Sequence, residues 1–175
     1  MAVVDNSRVP EILKKLEEID KYYIVVGVTG KAGGEILMIA NVQEYGCNIK
    51  VTDKMRGFFL YNWGIPLVTK EIRIPERSFL RSGYDSNKDK LMKYGDLLYD
   101  VVAGNLSVKS FWETLGQGAA QMIQSFLINN VTSPPNTPFT IANKGGKANP
   151  LVDTGKLSNS ISYEIRSKWC LILKA

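Results

Sequence analysis

The sequence predicts an α+β fold, with helices, a buried strand, and a long Pro/Gly-rich loop before a C-terminal hairpin. Three observations lead to this prediction. Residues 107–127 carry apolar side chains at three- and four-residue spacing over roughly five helical turns. Residues 22–28 are β-branched and aromatic, as in a strand, and residues 133–150 are rich in Pro, Gly and Asn. The 175 residues fit a single domain, residues 1–175.

The first three elements are predicted to be a helix, a strand and a helix. Residues 10–21 place apolar side chains on one helix face and charges on the other, and Pro10 suits a first helical turn. Residues 22–28 are predicted to form a buried strand. Residues 36–45 stop at Gly46, which is typical of a short helix that ends at a glycine.

The segment 51–68 is an aromatic-rich insertion that follows a brief strand, Asn48–Val51. Thr52 can cap a helix that runs to Gly64. Four aromatic side chains crowd this helix: Phe58, Phe59, Tyr61 and Trp63. Because they cannot all lie on one helix face, two interpretations stay open. The rings pack in the protein's own core, or they form a contact between subunits.

Pro75 interrupts a second strand-like segment, residues 72–77. Proline cannot donate a backbone hydrogen bond, so it ends strand pairing and favours an extended connection. Three arginines in and after this segment are therefore expected near the surface: Arg73, Arg77 and Arg81.

Two further helices are predicted before the loop. Asp85 or Ser86 can cap the first, which ends at Gly104. Ser107 can cap the second, which is the core helix. Two glycines lie near the middle of the core helix: Gly116 and Gly118. Each costs about 1 kcal/mol relative to alanine, so we expect another element to approach the backbone closely there.

The carboxyl-terminal third begins with the long extended loop of residues 133–150, where prolines exclude a central strand or a helix at its start. A short helix over residues 156–159 is predicted next, with Asp153 or Thr154 as its N-cap. Residues 160–173 contain an alternating segment and then a continuously apolar one, which predicts the terminal hairpin.

The chain contains no histidine. This removes the Ser-His-Asp and Cys-His nucleophile systems, the usual zinc sites and the commonest general base near neutral pH. The glycine-lysine segments 30–34 and 144–147 do not fit the phosphate-binding loop pattern. Leu151–Gly155 has the Asp-Thr-Gly pattern of an aspartic protease, but a single copy favours the capping interpretation. We therefore predict no catalytic, metal-binding or cofactor-binding residue and do not expect an enzyme.

The composition favours a protein that stays in the compartment where it is made. No apolar run approaches the roughly 20 residues that span a bilayer, and the amino terminus lacks a secretory pattern. No membrane association is expected. Cys47 and Cys170 are predicted to be reduced thiols.

Positive charge is concentrated near the carboxyl terminus. Residues 144–175 hold six basic and two acidic side chains, so +4 of the net charge of +5 lies in this segment. One interpretation is a solvated loop. The alternative is a nucleic-acid-binding accessory protein, in which three lysines contact DNA or an acidic surface: Lys144, Lys147 and Lys156.

Four groups of residues, taken in their order along the chain, are more specific than any single motif. They are the strand Ile24–Val28 with Ile39–Gly46 (I-A-x-x-x-E-[FY]-G), Ile74–Arg81 (I-P-x-R-P-F-L-R, with Ser78 in place of the proline), Leu115-Gly116 with Ala119, and Pro135–Lys144 leading into Pro150–Ile161. Together they resemble the phage neck proteins that complete the tail and join it to the head. The resemblance covers residues 20–165.

The resemblance implies a small α+β structural protein of the virion neck, in which an antiparallel β-sheet packs against two or three long α-helices. It implies no catalysis and no cofactor, and assembly in the host bacterial cytoplasm. It implies a homo-oligomeric ring of 6 or 12 copies around the channel through which DNA leaves the head. The implied partners are neighbouring neck, connector, and tail-terminator or tube proteins, with genomic DNA passing through the channel.

Two segments are predicted to make the contacts of such a ring. The aromatic insertion suits subunit contacts, and the long loop is able to reach a neighbour. The predicted interface residues are Phe58, Phe59, Tyr61, Trp63, Pro135, Lys144 and Lys147.

Overall fold

The structure is a computed structural model, and it describes residues 7–168. Its class is α+β, as predicted, with helices and two small antiparallel sheets. The elements follow in this order: α1 (Val9–Asp20), β1 (Tyr22–Val28), a 3₁₀ turn (Gly30–Ala32), α2 (Gly34–Tyr45), β2 (Cys47–Lys50), α3 (Asp53–Trp63), β3 (Glu71–Ile74), α4 (Leu80–Met92), a second 3₁₀ turn (Lys93–Asp96), α5 (Leu97–Ala103), α6 (Val108–Asn129), α7 (Pro138–Asn143), α8 (Lys156–Asn159) and β4 (Ile161–Ser167).

Helix α6 lies at the centre of the fold. Its buried face includes Ile123 and Leu127, which pack in the main core with Phe79 and with Ile161 of β4. Phe79 and Leu127 are completely buried. The core helix predicted from apolar spacing is therefore confirmed, and its cap is confirmed too, since the Ser107 hydroxyl accepts a hydrogen bond from a backbone N–H of the first turn.

The antiparallel sheet that packs against α6 is formed by β1 and β4. Tyr22 lies opposite Ser167 at one end, and Val28 lies opposite Ile161 at the other. The alternating segment predicted as a strand is thus β4, and its partner is β1. The second strand of the predicted terminal hairpin, residues 169–173, lies outside the described residues.

The two glycines of α6 lie beneath tyrosine rings. A Cβ atom at Gly116 would overlap the ring of Tyr163 on β4, and one at Gly118 would overlap the ring and hydroxyl of Tyr94. The prediction that another element closely approaches the helix at this level is confirmed. Hydrogen as the side chain lets the sheet and the second 3₁₀ turn pack directly on the helix backbone.

Substituting Gly116→Ala is expected to lower the free energy of unfolding by about 2 kcal/mol, because the added methyl group overpacks the contact with Tyr163. The matched control is Gly57→Ala in α3, where an added Cβ meets no atom within 4 Å. That substitution should stabilise the protein by about 0.5–1 kcal/mol through helix propensity. Urea unfolding followed by circular dichroism measures both, and equal effects would contradict the packing argument.

Residues 47–74 leave and re-enter the body of the protein at adjacent points. Cys47 lies opposite Ile74 in the antiparallel β2–β3 sheet, and α3 lies between these strands. Gly46 precedes the segment with φ +72°, and a Cβ there would lie 2.9 Å from the backbone nitrogen of Glu76. The chain can make this turn only with glycine, which also ends α2 as predicted.

Three local predictions need correction. The helix expected to begin at Asp85 or Ser86 begins earlier, at Leu80, and a 3₁₀ turn divides it into α4 and α5 before Gly104. The segment 133–150 is not extended throughout, because it contains α7. Pro138 does not exclude this helix, because proline is favoured at the first helical position, where no backbone N–H is needed.

The short helix α8 is present as predicted, but Gly155 in a left-handed conformation precedes it, and neither Asp153 nor Thr154 is its N-cap. No helix within residues 7–168 combines the length and the apolar character that a bilayer span requires.

Candidate functional site

The carboxylate of Glu44, in the last turn of α2, lies at the N-terminus of α4. Its Oε2 accepts hydrogen bonds from the backbone N–H groups of Phe79 (2.8 Å) and Leu80 (2.9 Å). Its Oε1 accepts hydrogen bonds from the Ser78 hydroxyl (2.7 Å) and the backbone N–H of Arg81 (3.1 Å). The N-cap residue, Phe79, makes no side-chain capping hydrogen bond, so Glu44 caps this helix from another helix. We name this arrangement the Glu44 cap.

Two opposing effects act on the pKa of Glu44, which is only 2% exposed. Burial raises the pKa, because it removes water from the charged form. Hydrogen bonds from Leu80, Ser78, Arg81 and Phe79 outweigh burial and lower the pKa below its ordinary value. The positive end of the α4 dipole favours the same charge. The carboxylate is therefore ionised at neutral pH and holds α4 in place as an anion.

The guanidinium of Arg81 covers the outer side of the Glu44 cap. Its Nε donates to Glu44 Oε1 (3.1 Å), and its Nη2 donates to the backbone carbonyl of Glu44 (3.0 Å) and to Glu76 Oε1 (2.7 Å). The guanidinium carbon lies 4.8 Å from the ring centroid of Tyr45. Because the Arg81 side chain is half exposed, solvent screens these ion pairs, and they contribute less than the buried hydrogen bonds do.

Arg77 was expected near the surface, and this prediction is wrong, since the residue is 7% exposed. Its Nε donates to the carbonyl of Pro134 (2.8 Å), and its Nη2 donates to the carbonyl of Pro135 (3.3 Å) and to Asn136 Oδ1 (3.4 Å). Its Nη1 donates to Gln43 Oε1 (3.2 Å). Burial lowers the pKa of Arg77. The planar guanidinium thus connects the end of α2 to the start of the 133–150 segment.

The remainder of the 133–150 segment is also held by local hydrogen bonds. The amide of Asn149 donates to the carbonyl of Ile128 (2.7 Å), and its oxygen accepts from the N–H groups of Leu151 and Val152. The ammonium of Lys144 donates to the carbonyl of Asn149 (2.9 Å). Hydrogen bonds therefore hold this segment to the body of the protein near both ends, and its contact with a neighbouring copy stays a prediction.

The three lysines proposed for contact with DNA differ in their surroundings. Lys144 is partly buried, and this burial lowers its pKa. Lys147 donates to the backbone carbonyl of Asp153 (2.7 Å). Lys156 is exposed and, with Lys144, lines a cleft of about 280 Å³ that also contains Glu35 and Asp153. Two of the lysines are engaged in local bonds and acidic groups lie beside them, which weakens the nucleic-acid interpretation.

Some aromatic side chains of α3 pack against other rings, and others are mostly exposed. Phe59 and Trp63 pack against each other (ring centroids 4.9 Å apart) and against Phe139 of α7 (6.5 Å and 5.4 Å). Phe58 and Tyr61 are 52% and 90% exposed. Phe58 also packs edge-on against Trp63 (ring centroids 5.2 Å apart), and no residue of α3 is buried. The rings therefore contact one another and α7, and a contact between subunits stays a prediction.

We name the large exposed side chains of α3 the aromatic patch. Its members are large side chains that are at least 42% exposed: Phe58, Leu60, Tyr61 and Trp63. No residue of α3 is buried, so the patch projects from the body of the protein. Pro135 also lies at the surface, but its carbonyl is bound by Arg77.

No cluster of metal-ligating side chains occurs in the part of the chain that the structure describes. The Asp153 side chain of the Asp-Thr-Gly segment is 56% exposed and forms a long ion pair of 4.0 Å with Lys147. The segment lies between α7 and α8 and forms a surface connection.

One feature of the sequence, the spacing of residues along α2, could have revealed the Glu44 cap. Ile36, Ala40 and Glu44 follow each other at four-residue steps, so a carboxylate lies on the apolar stripe of α2. A charged group on such a stripe requires buried partners. Its partners are more than 30 residues away along the chain, and no local pattern identifies them.

Comparison of the chain with protein-family models, with curated proteins and with solved structures finds no match.

Proposed function

We propose that this protein is a structural component of the phage neck, which forms a ring and joins the tail to the DNA-filled head. One observation carries the proposal. Three of the four groups of residues that resemble the neck family meet in space: Ile39–Gly46 supplies Glu44, Ile74–Arg81 supplies Arg77 and the capped helix, and Pro135 and Asn136 bind Arg77. Motif residues that are distant in sequence are thus joined by hydrogen bonds in the folded protein.

The use of these residues fits a structural role. Glu44 binds backbone N–H groups of α4 and the guanidinium of Arg81, and Arg77 binds backbone carbonyls of the 133–150 segment. These hydrogen bonds join α2, α4 and the 133–150 segment. Because the polar groups of these motifs form hydrogen bonds within the protein, the motifs stabilise its shape. This supports a protein that acts through its surfaces, in a ring of 6 or 12 copies between neck, connector and tail proteins.

The aromatic patch supports the same proposal. Aromatic side chains are enriched at the centres of protein interfaces, where they bury large areas at low entropic cost. Tyr61 has 90% of its surface exposed, on a helix that stands away from the core. Burial of this patch between neighbouring copies would stabilise a ring.

The test is electron microscopy of particles made when the gene is inactivated in its parent phage, with wild-type protein supplied in trans as the control. We expect DNA-filled heads beside separate tails of normal length, and joined particles when the protein is supplied. Complete, infectious virions without the protein would overturn the proposal.

Variants supplied in the same assay test the aromatic patch. Tyr61→Ser is expected to reduce joined particles by roughly tenfold, the effect of about 1.4 kcal/mol on an equilibrium. Tyr99→Ser is the matched control, because Tyr99 lies on α5 and is also highly exposed (80%). Tyr61 is a better target than Phe59 or Trp63, whose loss would also disturb packing against Phe139. Equal recovery with the two serine variants would exclude the patch from assembly.

A further inference from the structure

Helix α1 exposes a row of apolar side chains along one face. Its three members follow each other at four- and three-residue steps, so they lie on the same side of the helix: Val9, Leu13 and Leu16. They are 56%, 54% and 41% exposed. Ile19 instead packs inward, against a core cluster that contains Phe111. We name the three exposed residues the α1 stripe.

The same face of α1 ends at Asp20, four residues after Leu16. The carboxylate of Asp20 binds the ammonium of Lys168, the last described residue. The backbone N–H of Lys168 also donates to the carbonyl of Lys21 (2.8 Å), directly after α1. The chain therefore leaves β4 at one end of the α1 stripe.

The five residues that follow Lys168 are all apolar: Trp169, Cys170, Leu171, Ile172 and Leu173. Exposure of such a run to water is unfavourable, so burial against an apolar surface within its reach stabilises it. The α1 stripe is an apolar surface of this kind, and it begins beside the residue from which the run departs.

The length of this run matches the length of the α1 stripe. An extended chain advances about 3.3 Å per residue, so Leu171 and Leu173 can reach about 10 Å and about 16 Å beyond Lys168. A helix advances about 1.5 Å per residue, so Leu13 and Val9 lie about 10 Å and about 16 Å from the last residue of α1. Alternate residues of an extended chain share one side, so both leucines can face the stripe together.

We propose that residues 169–173 dock along the α1 stripe of their own chain, in an extended conformation that runs toward the N-terminus of α1. Leu171 then packs against Leu13, and Leu173 packs against Val9. Docking removes two apolar surfaces of the chain from water at once. The inference goes beyond the proposed neck function and does not depend on it, because it concerns a contact within one chain.

Disulfide formation tests the proposal in purified full-length protein with Cys47→Ser and Cys170→Ser. The test variant carries Leu13→Cys and Leu171→Cys, and the control carries Lys14→Cys and Leu171→Cys. Lys14 is exposed and adjacent in sequence, but its side chain lies about 100° around the helix from the neighbouring member of the stripe. In dilute protein under mild oxidation, we expect the internal disulfide to form at least about fivefold faster in the test variant, because docking raises the effective concentration of that pair.

Two results of this experiment would overturn the inference. Equal rates in the two variants would show that the segment is not docked on the stripe, as when it returns along β4 in a hairpin. Disulfide-linked dimers as the main product would mean that the stripe binds the segment of a second copy. Either result leaves the neck function standing, since that function is tested by the particles made without the protein.

Fluorine NMR follows the same segment without a cysteine in it. Trp169 is the first residue of the segment and the one nearest to Leu16, and its resonance in protein labelled with 5-fluorotryptophan is assigned with Trp169→Phe. We expect Leu16→Asp to move this resonance toward its position in urea-unfolded protein, and Lys14→Asp to leave it unchanged. A Trp169 resonance at the unfolded position in the folded wild-type protein would contradict docking.

Discussion

Replacing Glu44 by alanine is expected to lower the free energy of unfolding by about 4 kcal/mol. The substitution removes a buried acceptor that binds the N–H groups of Phe79, Leu80 and Arg81 and the hydroxyl of Ser78. Phe79 is completely buried, so its N–H cannot bind water in place of the carboxylate. Guanidinium chloride unfolding measures the loss.

Two controls separate the cap from a general effect of mutation. Glu35→Ala changes an exposed glutamate on the same helix and should alter stability by no more than about 0.5 kcal/mol. Glu44→Gln keeps the shape but removes the charge, so it should lie between wild type and Glu44→Ala. A loss below about 1 kcal/mol in Glu44→Ala would contradict the capping role.

The same carboxylate makes stability depend on pH in a defined direction. Because the pKa of Glu44 is lowered by folding, its contribution is complete above the unfolded-chain pKa of about 4.3. The contribution is lost as the pH falls through the lower pKa of the folded protein. The stability difference between wild type and Glu44→Gln should therefore be constant from pH 7 to about 5 and shrink below about pH 4.

Arg77→Ala is expected to lower the free energy of unfolding by about 3 kcal/mol, because it leaves the carbonyls of Pro134 and Pro135 without their donor. Arg77→Lys should recover less than half of the loss, since an ammonium cannot reproduce the planar fork. Hydrogen exchange measures the local effect, which we expect in the amides near Asn136.

Arg73→Ala is the matched control for Arg77, because Arg73 is an exposed arginine of the neighbouring strand β3. It should change stability by no more than about 0.5 kcal/mol. Equal losses in the two alanine variants would show that the buried hydrogen bonds of Arg77 do not hold the 133–150 segment.

Elements whose signal is local could be predicted from the sequence. Apolar spacing and the Ser107 cap defined α6, and Thr52 with Gly64 defined α3. The two helix glycines predicted a close contact correctly, although only the fold shows that Tyr163 and Tyr94 make it. Caps, glycines and periodic apolar faces act within a few residues, and a sequence displays them directly.

Features that depend on distant partners could not be predicted in this way. Arg77 follows a proline and was assigned to the surface, but its ligands are carbonyls almost 60 residues later in the chain. The start of α4 lacked a recognisable cap because its cap, Glu44, belongs to α2. The packing of Trp63 likewise depends on Phe139, which α7 supplies.

The aromatic patch is carried on an excursion, residues 47–74, whose two ends meet at the pairing of Cys47 with Ile74. Because the backbone N–H of Arg77 also donates to the carbonyl of Gln43 (2.7 Å), the body of the protein closes beneath the excursion without it. The entropic cost of closing a loop rises only slowly with its length. Evolution can therefore vary the length of this segment and its exposed residues at little entropic cost to the body, provided that Phe59 and Trp63 keep their contact with Phe139 of α7.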